Sequence, residues 1–318
     1  MNIFVSGGAG FIGSNLVNTL VKDKNIKKII VYDNFSSGKK WFLNKNKKIK
    51  IVKGDLKNFS KLKSSIKNSH LVYHFAANPD IAAAVKNPDI DFIEGTVLLR
   101  NVLEAMRLNN VKKIIFASGS GVYGDLKKKY LFEDKTVTKP ISTYGASKLY
   151  CEALISAYSN LVGISGVSFR FANVTGDNCT HGVCYDFVKK IFPNKKKITI
   201  LGNGKQSKSY LHVTDVVKAL IKAKLLNTRG HKVFNLSTKD FITVNEILDL
   251  VLKSCNIKGI IKNYTGGDRG WKGDVPIVRI NDQKFRKLGW KNKFSSKNSV
   301  IKTILFLIEN KKKYGFGL

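Results

Sequence analysis

The chain has 318 residues, enough for one large α/β domain or for a dinucleotide-binding domain with a smaller second domain, and no run approaches the roughly 18 apolar residues that cross a membrane. The net charge is +34, but 49 of the 56 basic residues are lysines spread along the chain, which favours a solvated surface over a specific nucleic-acid partner. The four cysteines form no CxxC pair, so we expect reduced thiols in a cytoplasmic protein and no metal site.

The first predicted strand and helix are joined by a glycine-rich turn. The apolar run NIFVS at residues 2–6 leads into Gly7, Gly10 and Gly13, and helical apolar spacing continues over residues 11–20. The spacing G-x-x-G-x-x-G permits a tight turn, a close approach of the backbone to a pyrophosphate, and close packing of helix on strand. Because the helix N-terminus presents free N–H groups to an anion, this turn predicts a dinucleotide site.

A second predicted strand, KIIVY at residues 28–32, leads directly into an acidic residue. Asp33 follows Gly13 by twenty residues, the distance at which a carboxylate meets the adenosine ribose. A carboxylate there accepts from both ribose hydroxyls and repels a 2′-phosphate. The sequence therefore predicts NAD rather than NADP as the cofactor.

A third strand-like run, KIIFA at residues 113–117, is followed by small and hydroxyl residues and then by a capped helix. Ser142 and Thr143 can cap a helix in which Tyr144 and Lys148 project from one face. A nearby ammonium stabilises a phenolate, so Tyr144 is a candidate base. A solvated helix face explains this pair equally well in isolation. Joined to the glycine turn, it predicts hydride chemistry at a carbinol or ketone.

The alternation of strands and helices continues to about residue 174 and then becomes irregular. HKVFNLS at residues 231–237 predicts one further buried strand. We therefore predict an α/β fold with a Rossmann-like doubly wound parallel sheet, formed by residues 1–174 and about 208–240. A smaller, interleaved C-terminal α/β domain is predicted from about 175–207 and 241–318.

Further short motifs support a family resemblance over essentially the whole chain. They are Gly54-Asp55-Leu56, His74-Phe75-Ala76-Ala77, Val122-Tyr123-Gly124, FRFANV at 169–174, GNGKQ at 202–206, HVTD at 212–215 and RGWKGDVP at 269–276. With the glycine turn and the Tyr-Lys pair, they resemble the extended short-chain dehydrogenase/reductase family, and within it the nucleotide-sugar branch typified by UDP-glucose 4-epimerase.

The resemblance implies NAD-dependent epimerisation at C4 of a UDP-hexose, through a transient 4-keto sugar. It implies that the second domain binds the nucleotide sugar, and that helices predicted at 92–106 and 144–162 form a homodimer. The implied catalytic residues are Tyr144 and Lys148, with Ser118 or Ser120 as a hydroxyl for the sugar. Together with that pair, the implied cofactor residues are Gly7, Gly10, Phe11, Ile12, Gly13, Asp33, Asn34, Asp55, Leu56, Phe75, Ala76 and Ala77. On the substrate side, the implied residues are Asn173, Lys208 and Arg269 at the diphosphate and Val278 beside the 2-substituent of the sugar.

The chain departs from the family pattern at the catalytic loop. Gly119 stands where the family usually has Ser or Thr. Successive residues of an extended segment point to opposite sides, so a neighbouring serine replaces that hydroxyl only after a local backbone change. Ser120 and Gly121 stand where the 4,6-dehydratases carry an Asp-Glu pair, which disfavours dehydration.

On the substrate side, a small residue at Val278 leaves room for an N-acetyl group.

Three interpretations remain open. The first is a UDP-hexose 4-epimerase, and the second is another NAD-dependent nucleotide-sugar enzyme, such as a decarboxylase or a reductase. The third is a non-catalytic structural or RNA-associated protein of this fold, motivated by Gly119 and by the charge of +34. The presence of Asp33, Tyr144 and Lys148 together favours an enzyme.

Overall fold

The protein is described by a computed structural model that covers residues 1–127, 129–192 and 196–316. The strands are β1 (Asn2–Ser6), β2 (Lys28–Asp33), β3 (Ile49–Lys53), β4 (Leu71–His74), β5 (Lys113–Gly119), β6 (Tyr130–Leu131), β7 (Ser165–Phe171), β8 (Asn173–Thr175), β9 (Lys197–Ile200), β10 (Ser207–Lys208), β11 (Tyr210–His212), β12 (His231–Leu236), β13 (Ile242–Thr243), β14 (Ile261–Tyr264) and β15 (Arg279–Ile280). The helices are α1 (Phe11–Leu20), α2 (Phe59–Ile66), α3 (Leu98–Leu108), α4 (Thr143–Val162), α5 (Val183–Ile191), α6 (Val213–Leu225), α7 (Val244–Ser254), α8 (Gln283–Arg286), α9 (Ser296–Glu309) and α10 (Lys311–Tyr314).

Seven of the strands form one parallel sheet in the order β12-β7-β5-β4-β1-β2-β3. The first three strands, β1, β2 and β3, form one side of the sheet in sequence order. The chain then crosses to β4, on the other side of β1, and the later strands β5, β7 and β12 extend the sheet from there. In such a sheet, ligands bind outside the carboxyl ends of the strands where the order reverses, here at β1 and β4. The predicted doubly wound Rossmann-like sheet is confirmed, and the strand predicted at 231–237 is its edge strand β12.

Both faces of the sheet are covered by helices, because its strands carry apolar side chains on both faces. In β1, Ile3 and Val5 face a core that contains residues of α1 and α6. Phe4 faces the opposite core, which contains residues of α2, α3 and α4. All three side chains are fully buried. The sheet is thereby held rigidly, and its carboxyl edge can present loops at fixed positions.

A third apolar core lies among α5, α7 and α9, together with the short strands β9 and β11. These elements come from both predicted segments of the second domain and from residues near 210, so the chain passes between the two regions more than once. The predicted boundaries stay a proposal, and residues 193–195 and 317–318 within them lie outside the described residues. No helix in the described part of the chain is both long and apolar enough to span a membrane.

The segment predicted as one helix at 92–106 differs from expectation. Residues Phe92–Val97 form a π-helix that leads into α3. Within it, a side chain on Gly95 would collide with the Ser147 hydroxyl of α4, so the two segments pack very closely there. Apolar periodicity finds the helical face but does not separate an α-helix from a short π-helical stretch.

Candidate active site

One cavity at the carboxyl edge of the sheet contains nearly every residue predicted for the site. Its lining joins the glycine turn of β1 and α1 to the loop after β5, the start of α4 and the segment 271–278. The predicted residues that line it are Gly7, Gly10, Phe11, Ile12, Gly13, Asp33, Asn34, Asp55, Leu56, Phe75, Ala76, Ala77, Ser118, Ser120, Tyr144, Lys148, Asn173, Lys208 and Val278. Arg269 is outside the described lining.

The glycine turn leaves no room for a side chain at Gly7 or at Gly13. Gly7 has φ of +67°, and a Cβ on it would lie 2.7 Å from the Ala76 backbone nitrogen. A Cβ on Gly13 would overlap the Gly7 carbonyl oxygen. Helix α1 begins after Gly10, and within the described residues no side chain caps it, so its first N–H groups remain available to an anion. The turn therefore fits a dinucleotide pyrophosphate.

Asp33 is fixed beside this turn at the end of β2. It is 8% exposed, and its carboxylate accepts hydrogen bonds from the backbone N–H groups of Ala9 at 2.9 Å and Phe35 at 2.8 Å. Burial raises the pKa of Asp33, and the two N–H groups oppose that shift. Each oxygen can still accept a second hydrogen bond, which suits the two hydroxyls of a ribose.

The Tyr-Lys pair lies on the first two turns of α4. The Ser142 hydroxyl accepts from the Gly145 N–H at 3.1 Å and caps the helix, as the sequence predicts. Lys148 is 6% exposed and its Nζ donates to the Ala117 carbonyl at 2.8 Å. That ammonium lies 5.4 Å from the centre of the Tyr144 ring, close enough to stabilise negative charge on the phenol.

The loop after β5 faces this pair through Gly119. A Cβ on Gly119 would lie 3.9 Å from the Tyr144 hydroxyl oxygen. Ser118 also lines the cavity, but its hydroxyl donates to the buried Glu152 carboxylate at 2.5 Å. The strand ends at Gly119, and a 3₁₀ turn covers Ser120–Tyr123. Because the extended backbone changes to a 3₁₀ turn at Ser120, Ser120 stays the candidate hydroxyl for the sugar, whereas the Ser118 hydroxyl is already engaged by Glu152.

The two predicted diphosphate cations are placed differently. Lys208 lies in the lining, with its Nζ 2.6 Å from the Asp274 carboxylate. The Arg269 guanidinium pairs with Asp125 and donates to the Asp274 carbonyl at 2.6 Å. Only Lys208 therefore reaches the cavity in this conformation, while Arg269 braces the segment beside it.

Several lining residues are missing from the sequence-based set, among them His181, Trp271 and Asp274. Trp271 and Asp274 belong to the RGWKGDVP motif, so the sequence does carry a signal for these two. His181 precedes α5 and packs edge-on against Phe11 of the glycine turn, with ring centres 6.4 Å apart. That contact joins residues 170 positions apart, and nothing in the local sequence around either residue indicates it.

A family model described as the NAD dependent epimerase/dehydratase family matches residues 3–237, and the chain belongs to this family. The predicted family and its cofactor, NAD, are thereby confirmed. The putative UDP-glucose 4-epimerase of Methanocaldococcus jannaschii is 32% identical over 314 residues, which cover 97% of this chain and 99% of the relative.

Solved structures agree with the fold over nearly the whole chain. A UDP-galactose 4-epimerase is 34% identical with a TM-score of 0.87, covering 98% of this chain and 99% of that one. The UDP-N-acetylglucosamine 4-epimerase from Methanobrevibacter ruminantium, solved with UDP-N-acetylmuramic acid, is 26% identical with a TM-score of 0.85 and covers 97% and 98%. The chain is thus similar to UDP-sugar 4-epimerases that differ in the sugar they are named for.

Proposed function

We propose that this protein is an NAD-dependent epimerase acting at C4 of a UDP-hexose, with UDP-glucose and UDP-galactose as its substrate pair. The observation that carries the proposal is one cavity that is lined by the glycine turn, by Tyr144 and Lys148, and by Lys208. A dinucleotide, a reacting carbinol and an anionic diphosphate are the three groups that these sites suit.

Tyr144 and Lys148 perform the proton transfer in this proposal. Tyr144 as phenolate accepts the proton of the C4 hydroxyl, and the Lys148 ammonium stabilises the negative charge before that transfer. Bound NAD supplies reversible hydride exchange with C4, which leaves the overall reaction redox-neutral. Once the 4-keto sugar presents its other face, Tyr144 returns the proton to the oxygen of the C4 epimer. Ser120 is proposed to hydrogen-bond that oxygen in place of the missing hydroxyl at Gly119.

The remaining residues bind and orient. The glycine turn, Asp33 and Asn34 are proposed to hold the cofactor, with Asp55, Leu56, Phe75, Ala76 and Ala77 along it. Asn173 and Lys208 are proposed to hold the diphosphate. Arg269 reaches the diphosphate only if its bond to Asp125 breaks, so Lys208 is the primary cation. Val278 is small, which supports acceptance of UDP-N-acetylhexosamines as well.

We also propose a homodimer, in keeping with the resemblance. The π-helix and α4 leave large apolar side chains in solvent, including Phe92 at 58%, Tyr150 at 52% and Leu161 at 81% exposure. Large apolar side chains exposed in this number are typical of a surface that a second subunit covers. Light scattering on the purified protein measures the mass directly, and a monomer would remove this part of the proposal.

A cytoplasmic location is proposed as well, since all four cysteines are free thiols.

The test is a product assay. Purified protein is incubated with UDP-glucose and with UDP-N-acetylglucosamine, with and without added NAD, and the nucleotide sugars are separated by chromatography. Appearance of the galacto epimers without net change in NADH supports the proposal. Release of CO₂ or net cofactor consumption would instead identify the decarboxylase or reductase alternative. No conversion by protein that retains NAD would favour the non-catalytic alternative.

A further inference from the structure

A buried ion pair next to the catalytic pair has no part in the proposed reaction. Glu152 and Arg170 are 4% and 5% exposed, and Arg170 donates to the two carboxylate oxygens from Nε at 3.0 Å and from Nη2 at 2.7 Å. A buried charge pair seldom stabilises a fold more than apolar side chains of equal volume, because both ions lose their hydration. Its location therefore needs a reason other than stability.

Glu152 continues the face of α4 that carries the catalytic pair. Tyr144, Lys148 and Glu152 are spaced by four residues, so they lie in line with a rise of about 6 Å per step. Lys148 donates to the carbonyl of Ala117, and Glu152 accepts from the hydroxyl of Ser118. Two successive turns of α4 are thus fastened to two successive residues at the end of β5.

The sheet completes this arrangement. Ser118 of β5 and Arg170 of β7 are directly paired in the strand register, and both donate to the same carboxylate. Gly119, which faces the Tyr144 phenol, is the next residue after Ser118. Glu152 therefore fixes one helix and two strands to each other within one residue of the proposed sugar-binding loop.

We propose that Glu152 is a positioning residue of the active site, which acts through Ser118 and Arg170 to hold Tyr144 and Lys148 at a fixed distance from the end of β5. This inference rests on the proposed function, since it takes Tyr144 as the base. Glu152 carries no proton in the reaction and is expected to affect the rate rather than substrate or cofactor affinity.

The sharpest test is Ser118→Ala, which removes one hydroxyl and leaves the ion pair in place. We expect kcat to fall about tenfold with KM unchanged, since small displacements of a catalytic group cost rate rather than binding. The matched control is Ser168→Ala, which removes a buried hydroxyl bond of 2.7 Å to His231 in the same sheet. A Ser118→Ala enzyme with the kcat of the control would overturn the proposal.

A second pair of variants separates position from stability. Glu152→Gln and Asp282→Asn each neutralise a buried carboxylate that pairs with an arginine, and Asp282 lies 2.6 Å from Arg286 outside the described cavity lining. Both should lower the unfolding midpoint, but only Glu152→Gln should also lower kcat, by about tenfold to a hundredfold. Equal kcat in the two would contradict the inference. If Glu152→Gln does not fold, Ser118→Ala decides alone.

Amide hydrogen exchange tests the inference without activity. In Ser118→Ala, the peptide that covers residues 143–152 should exchange faster than in the wild type and in Ser168→Ala, because one of its attachments to β5 is lost. If the wild type turns over no UDP-sugar, the proposed function fails, while this measurement still tests the positioning role. Unchanged exchange over residues 143–152 would refute the positioning role.

Discussion

Two glycine-containing loops border the same cavity but obey different physical constraints. In the glycine turn, a Cβ on Gly7 or Gly13 would collide with backbone atoms, and Gly7 has a positive φ. Gly119, where β5 meets the second loop, has an extended backbone with φ of −158°, and the nearest atoms to an added Cβ are 3.8 and 3.9 Å away. The first loop requires glycine and the second has space for a side chain.

This difference separates structural from chemical information in the sequence. Glycines at the turn between β1 and α1 are imposed by close packing of backbone on backbone, so they report a dinucleotide site reliably. No steric constraint requires glycine at position 119. The absence of a hydroxyl there therefore concerns the reaction and not the packing. Substitutions in the two loops should accordingly have different effects.

The largest effect is expected from Tyr144→Phe. Loss of the general base should lower kcat by about 10² to 10⁴-fold, while the ring and its packing are retained. NAD retention, measured by releasing the cofactor from denatured protein, should stay close to that of the wild type because the glycine turn and the tyrosine ring are untouched. Tyr150→Phe, on the same helix but outside the described cavity lining, is the control and should keep full activity because it removes only a hydroxyl group. A Tyr144→Phe enzyme with wild-type kcat would refute the assignment.

Gly13→Ala should weaken NAD binding at the glycine turn. The added methyl group overlaps the Gly7 carbonyl oxygen and lies 2.8 Å from Gly8 Cα. Overpacking of about 3 kcal/mol corresponds to a loss of about a hundredfold in NAD affinity. Gly119→Ala adds the same methyl group where space exists and should bind NAD normally. Equal NAD affinities for the two variants, measured by calorimetry, would show that the loops do not differ as described.

The Rossmann half of the fold is predictable because its signals are local. Residues 2–6, 28–32 and 113–117 are read as strands from continuous apolar runs, and they correspond to β1, β2 and β5. The helix predicted at 144–162 differs by one residue from α4. Buried parallel strands and capped helices each carry their evidence within a few neighbouring residues.

The remainder of the site depends on contacts between distant residues. Arg269 resembles a diphosphate ligand by motif, yet it pairs with Asp125, which lies 144 positions earlier in the chain. Ser118 resembles a catalytic hydroxyl by position, yet it bonds to Glu152. The sequence near Arg269 or Ser118 gives no sign of either partner. Polar side chains form such hydrogen bonds only where the packing of helices and strands brings distant residues together.

A smaller effect is expected on the substrate side from Lys208→Met. Loss of one ammonium at the diphosphate should raise KM about tenfold and leave kcat nearly unchanged, since a hydrogen bond to a charged group contributes about 1.5 kcal/mol or more. Arg269→Met should raise KM less, because Arg269 is held by Asp125 outside the described lining. Steady-state kinetics with UDP-galactose compare the two, and a larger effect for Arg269 would show that it turns into the cavity on binding.

The smallest effect, and the one that bears most directly on the comparison of the loops, is expected from Gly119→Ser. The serine Cβ would sit in ordinary contact with Tyr144, and the extended backbone at this position accepts any residue. Its hydroxyl can then bond the C4 oxygen that Ser120 is proposed to serve alone, so kcat should rise severalfold, on the order of 1 kcal/mol for one hydrogen bond. Gly119→Ala is the matched control and should leave kcat at the wild-type value. If serine and alanine behave alike, a hydroxyl at this position adds nothing, and Ser120 already supplies the contact that the loop after β5 makes with the sugar.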